Sequence, residues 1–544
     1  MLEQLTFLLA AGSAYKSTSQ WDIVPIIIDL DQNNGNLTRA AQQLNLYRKI
    51  HREVEESDGQ SEFFKYRVRQ LNEVAPQASE GFHISVNTAN KNSLEETIDY
   101  GGLPVSNSGS KTKGLIDLLY SKEDLKMNLN IGFQGKPHIG TMVLGQLALT
   151  NNRGLWKEPN FNAFVNNFHK GDRVFVISSI FGGTGAAGFP WLLKTLRSEA
   201  VSTVNSAFKT APIGALVMMP YFTIQQNSNS PITSNAFITK TKAALKFYNS
   251  NLREANAFYY MADDPTNSNT GFPNNPGGAQ QNNPPHIAEL FGATALFHYL
   301  NLSNAELPMP TSANGPKAYR YGLGIGPGEH HVQLRHFERG RPSRRWIAAP
   351  LTRFYYTSIL IRKILEHAGD NSWARDSDIV IVSKNWFKRN IDQGFFNREF
   401  YTNLKQFMDA FTQWLQAYER PNPNCLVFNP FVSDPAVMGT KQHLDSPGAD
   451  TMNELIKGDA PVGAGKGVVE KTGRTSAGHG LYTIRGNDLG FWELIRRMNN
   501  LVAEVKTLKG KTDEQSRAIR LLELTYRTSQ RFLNDYKHLE TTAP

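Results

Sequence analysis

A glycine-rich turn between a predicted strand and a predicted helix is the segment best suited to binding an anion. Residues 175–190 read FVISSIFGGTGAAGFP, in which the turn consists of Gly182, Gly183, Thr184 and Gly185. Glycines let the backbone turn tightly and approach a ligand closely. The first turn of a helix adds unpartnered N–H groups and the positive end of a dipole. The pattern predicts phosphate binding by backbone amides, and a tight strand–helix turn without a ligand is the alternative.

The elements that would position this turn alternate along the first half of the chain. Apolar, β-branched runs predict strands at 23–28, 173–179, 213–219 and 257–261, and apolar periodicity predicts helices at 38–56, 114–120, 189–198, 234–249 and 285–300. Pro190 fits the first turn of the helix at 189–198. Strands that alternate with helices predict an α/β fold with a mostly parallel sheet.

The second half of the chain has a different character from about residue 318 onward. Helices are predicted at 353–367 and 396–418 and strands at 378–383 and 425–428, which indicates a second α/β domain. A glycine-rich loop follows, and then two amphipathic helices at 489–508 and 512–536. These helices are interpreted either as a hairpin packed on the body or as a surface for a partner or for self-association.

Composition limits the classes of protein to consider. The 544 residues are too many for one usual core, so two or more domains are expected. Cys425 is the single cysteine, which excludes a disulfide within the chain and argues against a cysteine-based zinc site. No apolar run approaches the ~20 residues that span a bilayer. The apolar N-terminal segment contains an acid, Glu3, and no basic residues precede it, as they would in a signal peptide. The segment is therefore expected to form a core helix, and the protein is expected to be cytoplasmic.

Charge permits an anionic ligand. The 58 Lys and Arg outnumber the 49 Asp and Glu by nine, a mild excess over this length. A group of arginines could bind RNA, DNA or an acidic partner, although a solvated face is the usual explanation; its members are Arg335, Arg339, Arg341, Arg344, Arg345 and Arg353. His330, His331 and His336 lack the spacing of a metal site, so no metal ligands are assigned.

The order of these segments resembles the tubulin/FtsZ superfamily, and more specifically bacterial tubulin-like proteins. The resemblance rests on the Gly-Gly-Thr-Gly loop, on 26–35 (IIIDLDQNNG), on 130–140 (NIGFQGKPHIG) and on 217–222 (VMMPYF). It implies a Rossmann-like, GTPase-type domain at 1–284, a central helix with its following loop at 285–310, a second α/β domain at 311–440, a glycine-rich loop at 441–488 and C-terminal helices at 489–544.

The resemblance also implies a set of site residues for GTP or GDP with Mg²⁺. Gly182, Gly183, Thr184 and Gly185 would wrap the phosphates, and Gly135 and Lys136 would lie in the loop that closes over the terminal phosphate. Asp29 and Asn33 would border the ribose or base, and Asn283 or its neighbour Asn282 would contact the base.

Three departures from the family pattern bear on activity. The chain starts at what resembles the family's first helix, so the first phosphate loop is expected to be lost or to precede the given start. Ala186 stands where the family usually has a hydroxyl residue. At 301–306 (NLSNAE) Ser303 replaces the first acid of the family's catalytic loop, and Glu306 could stand for the second and orient a water beside a neighbour's nucleotide. A loop glutamate without a catalytic task is the alternative for Glu306.

Together these features predict a tubulin/FtsZ-like guanine-nucleotide-binding protein, capable of self-assembly, with slow or no GTP hydrolysis. A nucleotide-free tubulin-like scaffold in a multi-protein bacterial assembly, such as one acting in defence, is the second hypothesis. Nucleic-acid binding through the arginine group is the third.

Overall fold

The computed structural model describes the chain in segments, and they divide into two compact units. The described residues are 1–13, 21–31, 33–56, 61–85, 92–103, 108–148, 158–225, 227, 233–262, 272–275, 277–311, 315–322, 349–361, 393–419, 501 and 514–534. Unit 1 comprises Met1–Gln4, Tyr15–Gln42 and Val68–His336, and unit 2 comprises Leu5–Ala14, Gln43–Arg67 and Phe337–Pro544. The predicted domain boundaries at 284, 310, 440 and 488 remain predictions.

Helices and parallel strands together make a mixed α/β structure, as predicted. The helices are α1 (Leu2–Ala10), α2 (Gly35–Glu56), α3 (Leu71–Val74), α4 (Leu94–Thr97), α5 (Ser108–Leu119), α6 (Lys122–Leu125), α7 (Pro137–Ala148), α8 (Pro159–Asn166), α9 (Thr184–Leu196), α10 (Glu199–Val204), α11 (Ser234–Asn251), α12 (Ile287–Asn301), α13 (Ala349–Ile359), α14 (Glu399–Glu419) and α15 (Glu514–Asn534). The strands are β1 (Ile27–Asp29), β2 (His83–Ser85), β3 (Val174–Ser179), β4 (Ile213–Met218), β5 (Ala257–Ala262) and β6 (Lys317–Gly322).

Unit 1 contains two parallel sheets. Strands β1 and β2 form a pair, and the second sheet has the order β3-β4-β5-β6. All six residues of β4 are buried, because this apolar strand lies between β3 and β5 and is covered by helix α12. Continuous apolar sequence is typical of parallel strands covered on both faces. Gly214 is required in β4, since a Cβ there would lie 2.7 Å from ring atoms of Phe175 and Tyr299.

Several elements differ from the sequence-based expectation. The strand predicted at 23–28 is observed at Ile27–Asp29, and strand β2 was not predicted. Helix α9 begins at Thr184, directly after the glycine pair, so Pro190 lies inside the helix and not in its first turn. The apolar contacts of Ala187, Phe189 and Leu193 hold this helix despite the N–H group that proline lacks. Strand β6 was not predicted, because its sequence KAYRYG mixes charged and aromatic residues, and it is stabilised by pairing with β5.

Unit 2 has an aromatic core. Phe407 of α14 packs edge-on against Phe7 at 5.4 Å and Phe64 at 5.1 Å, and Phe354 of α13 lies 4.8 Å from Phe411. Helix α15 packs on α13 and buries most of its apolar residues, among them Leu521, Leu522 and Leu524. The described part of the predicted helix at 512–536 is therefore a core element of unit 2, and its use as a partner surface remains a prediction.

Several predicted features lie outside the described residues. They are the strands at 378–383 and 425–428, the glycine-rich loop at 441–488, the helix at 489–508 apart from Leu501, the histidines at 330, 331 and 336, and the arginines at 335–345. Within the described segments, every helix is too short or too polar to pass through a lipid bilayer.

Candidate functional site

The glycine turn lies at the carboxyl end of β3 and leads directly into α9. Gly183 precedes the first helical residue, Thr184, and has helical backbone angles. A Cβ on Gly185 would lie 2.8 Å from the Ser178 hydroxyl and 2.9 Å from the Ser179 carbonyl oxygen. Glycine is required there because the first turn of α9 approaches the end of β3 so closely. The turn thus brings the first N–H groups of α9 to the edge of the sheet where strands end.

A side-chain hydrogen bond connects this turn to the other sheet. The hydroxyl of Thr184 donates to Oδ1 of Asp29, the last residue of β1, at 3.2 Å, and the amide of Asp31 donates to the same oxygen at 3.0 Å. Burial raises the pKa of Asp29 to about 6, against the opposing effect of these two hydrogen bonds. The carboxyl ends of β1 and β3 therefore converge, which is where open α/β sheets bind their ligands.

Asp31 is a buried carboxylate with an unsatisfied oxygen. The residue is 3% exposed. Its Oδ2 accepts from the amide of Gly278 at 2.7 Å and from the side chain of Asn34 at 3.3 Å. Its Oδ1 is buried and has no hydrogen-bond partner among the described residues. Because a buried carboxylate oxygen without a partner is costly, this atom marks a position where a cation or a donor group would be stabilising.

The loop predicted to close over a terminal phosphate does lie beside the glycine turn. Its backbone is left-handed at Gly132, Gln134 and Gly135, with φ of 75°, 46° and 71°. A Cβ on Gly183 would lie 2.8 Å from Cβ of Phe133 and 3.1 Å from the amide nitrogen of Gly135. The loop backbone therefore occupies the space directly beside Gly183, and a ligand at the turn would lie against this loop.

Lys136 belongs to this loop and Lys240 contacts it, and the two lysines have different hydrogen-bond acceptors. Lys136 donates to Oδ1 of Asp124 at 2.6 Å, so its charge is already balanced. Burial favours a higher pKa for Asp124, but the hydrogen bonds from Lys136 and the Ser121 amide outweigh it and lower the pKa to about 2. Lys240 of α11 donates to the carbonyl oxygen of Gly135, a neutral acceptor. Burial, and then the charge of Lys136, lowers the pKa of Lys240.

The segment before α12 packs over the end of β1. The amide of Asn283 donates to the side chain of Asn36 at 2.8 Å, and Arg39 donates to the carbonyl oxygen of Asn283 at 3.0 Å. The predicted residue Asn33 is exposed, whereas its buried neighbour Asn34 donates to Gln281 as well as to Asp31. Asn33 and Asn283 thus lie near the same segment as Asp29, and Asn34 makes the connecting contacts.

Glu306 lies at the other end of the four-stranded sheet. Its Oε2 accepts from the Ser303 amide at 2.9 Å and the Ser303 hydroxyl at 2.8 Å. Asn256 donates to the carbonyl oxygen of Leu307 at 3.0 Å and accepts from the amide of Ile213, the first residue of β4, at 2.8 Å. Glu306 is therefore near the amino ends of the strands and is not brought together with the glycine turn of the same chain.

Sequence reasoning missed Asp31, Asn34 and Lys240. Asp31 follows Asp29 by two positions at the end of a strand, and this paired-acid spacing was a usable signal. Lys240 carried none, because one lysine among several on a helix is ordinary in a sequence. Clusters of three or more His, Cys, Asp or Glu side chains suited to a metal are absent from the described part of the chain.

Searches against protein-family models, curated proteins and solved structures each found no match for this chain.

Proposed function

We propose that this chain is a tubulin/FtsZ-like protein that binds GTP or GDP at the carboxyl ends of β1 and β3. The observation that supports this most directly is the hydrogen bond between Thr184 and Asp29, because it joins a glycine turn at a helix start to a partly buried acid at the end of a second parallel strand. Phosphates bind where helix N-termini and glycine backbones meet at such an edge. Amides of the first turn of α9 would donate to the phosphates.

The acids at the end of β1 fit a role in holding Mg²⁺. Mg²⁺ is usually bound through one or two carboxylates together with substrate phosphates. Asp31 has a buried oxygen that lacks a partner among the described residues, and Asp29 lies two positions away beside the turn. These two residues would hold the ion, which would neutralise charge on the phosphates.

Hydrolysis by a single chain would be slow or absent. Glu306 lies near the amino ends of the strands, so a carboxylate from 301–306 does not reach the glycine turn of its own chain. Ala186 contributes no hydroxyl to the first turn of α9. If copies assembled head to tail, Glu306 of one copy would meet the nucleotide of the next, as in the proposed family.

Isothermal titration of the full chain with GTP, GDP and ATP, with and without Mg²⁺, tests the proposal. We expect saturable heat with the guanine nucleotides and tighter binding when Mg²⁺ is present. Asp31→Asn should remove most of the Mg²⁺ dependence, and Glu80→Gln, a change at an exposed acid, should leave it intact. Absence of heat with all three nucleotides, for protein that is folded by circular dichroism, would overturn the proposal.

A nucleotide-free scaffold is the second candidate, and two contacts favour it. Backbone atoms of 133–135 lie directly against Gly183, and Lys136 is already paired with Asp124. The turn therefore packs against this loop without a ligand. The same titration separates the candidates, because a folded scaffold would give no heat. A larger residue at Gly183 would not distinguish the two candidates, because it would disturb this packing whether or not the protein binds a nucleotide.

A further inference from the structure

We propose that Lys240 of α11 is a phosphate-binding residue of the candidate site, which releases the carbonyl oxygen of Gly135 and contacts the terminal phosphate when a nucleotide binds. The inference rests on the proposed function and identifies the cation that serves it.

The position of Lys240 follows from packing between α11 and the glycine turn. Phe237, three residues earlier on the helix, is buried, and its ring lies 4.9 Å from that of Phe181, which directly precedes Gly182. Thr241, next to Lys240, is also buried. This face of α11 is therefore anchored at the start of the turn. The half-buried Lys240 extends from it to the carbonyl oxygen of Gly135, a residue whose amide lies beside Gly183.

The charges around the loop favour an additional anion. The loop carries one lysine, Lys136, and is contacted by a second, Lys240, and Asp124 balances the first of them through its 2.6 Å contact with Lys136. Lys240 has a carbonyl oxygen as its acceptor, and the charge of Lys136 opposes its own. A partly buried cation beside a second cation is costly unless a negative group compensates it. A polyphosphate at the turn would supply that group.

Lys240 can make the exchange while α11 stays in place. Its four-carbon stem is flexible and its ammonium carries three donors, so it can turn from a carbonyl oxygen to a phosphate oxygen nearby. Lys136 would have to break a charged hydrogen bond to Asp124 to do the same. The Lys136–Asp124 contact joins two opposite charges, whereas Lys240 donates to an uncharged carbonyl oxygen, so Lys240 gives up less electrostatic attraction and is the easier of the two to recruit.

The experiment compares affinities for GTP, GDP and GMP, by isothermal titration, of the wild type, Lys240→Met and Lys242→Met. Lys242 is an exposed lysine of the same helix and serves as the matched control. We expect Lys240→Met to weaken GTP binding roughly ten- to a hundredfold, the usual effect of losing a charged hydrogen bond. GMP binding should change less than about twofold, since GMP lacks the terminal phosphates. Lys242→Met should match the wild type.

Each other outcome counts against the inference in its own way. Equal weakening for GTP and GMP would assign Lys240 a structural role in holding the loop. Unchanged GTP affinity in Lys240→Met would exclude a phosphate contact while leaving the proposed function intact. Failure of the wild type to bind any of the nucleotides would reject both. Lys240→Arg, which keeps the charge, guards against misfolding: it should retain most of the GTP affinity, and loss of affinity in a folded Lys240→Arg would contradict the proposal.

Discussion

The hydroxyl of Thr184 donates to the carboxylate of Asp29 at 3.2 Å, although the two residues are 155 positions apart. Thr184 is the first residue of α9 and Asp29 the last of β1. This side-chain contact thus joins the end of β1, in the two-stranded sheet, to the glycine turn after β3, in the four-stranded sheet. The candidate site is built around this junction, and its energetics can be tested without knowing the ligand.

The glycine turn should not tolerate a methyl group at Gly183. A Cβ there would lie 2.8 Å from Phe133 and 3.1 Å from the Gly135 amide, so Gly183→Ala should cost about 1–3 kcal/mol of unfolding free energy through overpacking.

Gly188→Ala in the same helix is the control. Its nearest neighbour would be a Leu144 methyl at 3.4 Å, and alanine is the better helix former by roughly 0.5–1 kcal/mol. Urea denaturation measures both, and a Gly183→Ala variant as stable as Gly188→Ala would contradict the packing described.

Asp29 should make the protein less stable as pH rises. Its pKa is about 6 in the folded chain and 3.8 for an ordinary, solvent-exposed aspartate, so between these values the folded state holds a proton that the unfolded state has lost. The favourable contribution is full below about pH 4 and disappears as pH rises through 6. Asp29→Asn should therefore stabilise the protein by about 1–3 kcal/mol at pH 7.5 and change little at pH 4.

Urea denaturation between pH 4 and pH 8 measures this effect. Glu80→Gln, at an exposed position, should show no such pH-dependent difference from the wild type. An Asp29→Asn difference that stays constant across the range would show that Asp29 does not titrate as expected.

Lys136 should stabilise the loop through Asp124, with the opposite dependence on pH. The pKa of Asp124 is lowered to about 2, so its contribution is present above about pH 4 and is lost as pH falls through 2. Lys136→Met should cost about 1 kcal/mol at pH 7, and less near pH 2.5, where the unfolded chain already holds a proton on Asp124 and most of the contribution is lost. Thermal unfolding at both pH values measures the loss. Lys122→Met, an exposed change on α6, should leave the melting temperature unchanged, and an equal loss for Lys136→Met at both pH values would refute the ion-pair explanation.

The start of α12 should depend on the hydroxyl of Tyr221. This hydroxyl donates to Glu289 at 2.6 Å, and Gln4 donates to the other oxygen of the same carboxylate at 2.7 Å. Glu289 is 15% exposed, so Tyr221→Phe should cost about 1–2 kcal/mol by leaving a mostly buried carboxylate short of one donor.

Tyr248 provides the control for this substitution. Its hydroxyl is buried and has no hydrogen-bond partner among the described residues, so Tyr248→Phe should be neutral or slightly stabilising. Chemical denaturation of the two variants side by side measures the difference. A Tyr221→Phe variant that unfolds at the same urea concentration as Tyr248→Phe would show that the Glu289 contact contributes little.

The sequence by itself determined several of the local elements of unit 1. The apolar strand at 173–179, the glycine turn and the buried strand at 213–219 were predicted because each depends on the composition and spacing of neighbouring residues. The parallel arrangement followed from the alternation of strands and helices. Strands β2 and β6 were not predicted, and each is paired with a parallel neighbour, β1 or β5.

The tertiary structure decided which side chains meet at the site. Asp31 reaches Gly278 across 247 positions and Lys240 reaches Gly135 across 105, and such contacts depend on how loops fold over the strand ends. The ion pair of Lys136 with Asp124 of α6 likewise depends on packing, and the phosphate contact of Lys136 remains a prediction. Local sequence patterns indicate which face of a helix or strand is buried. The partner of a charged side chain depends instead on the positions of elements that are distant in the sequence.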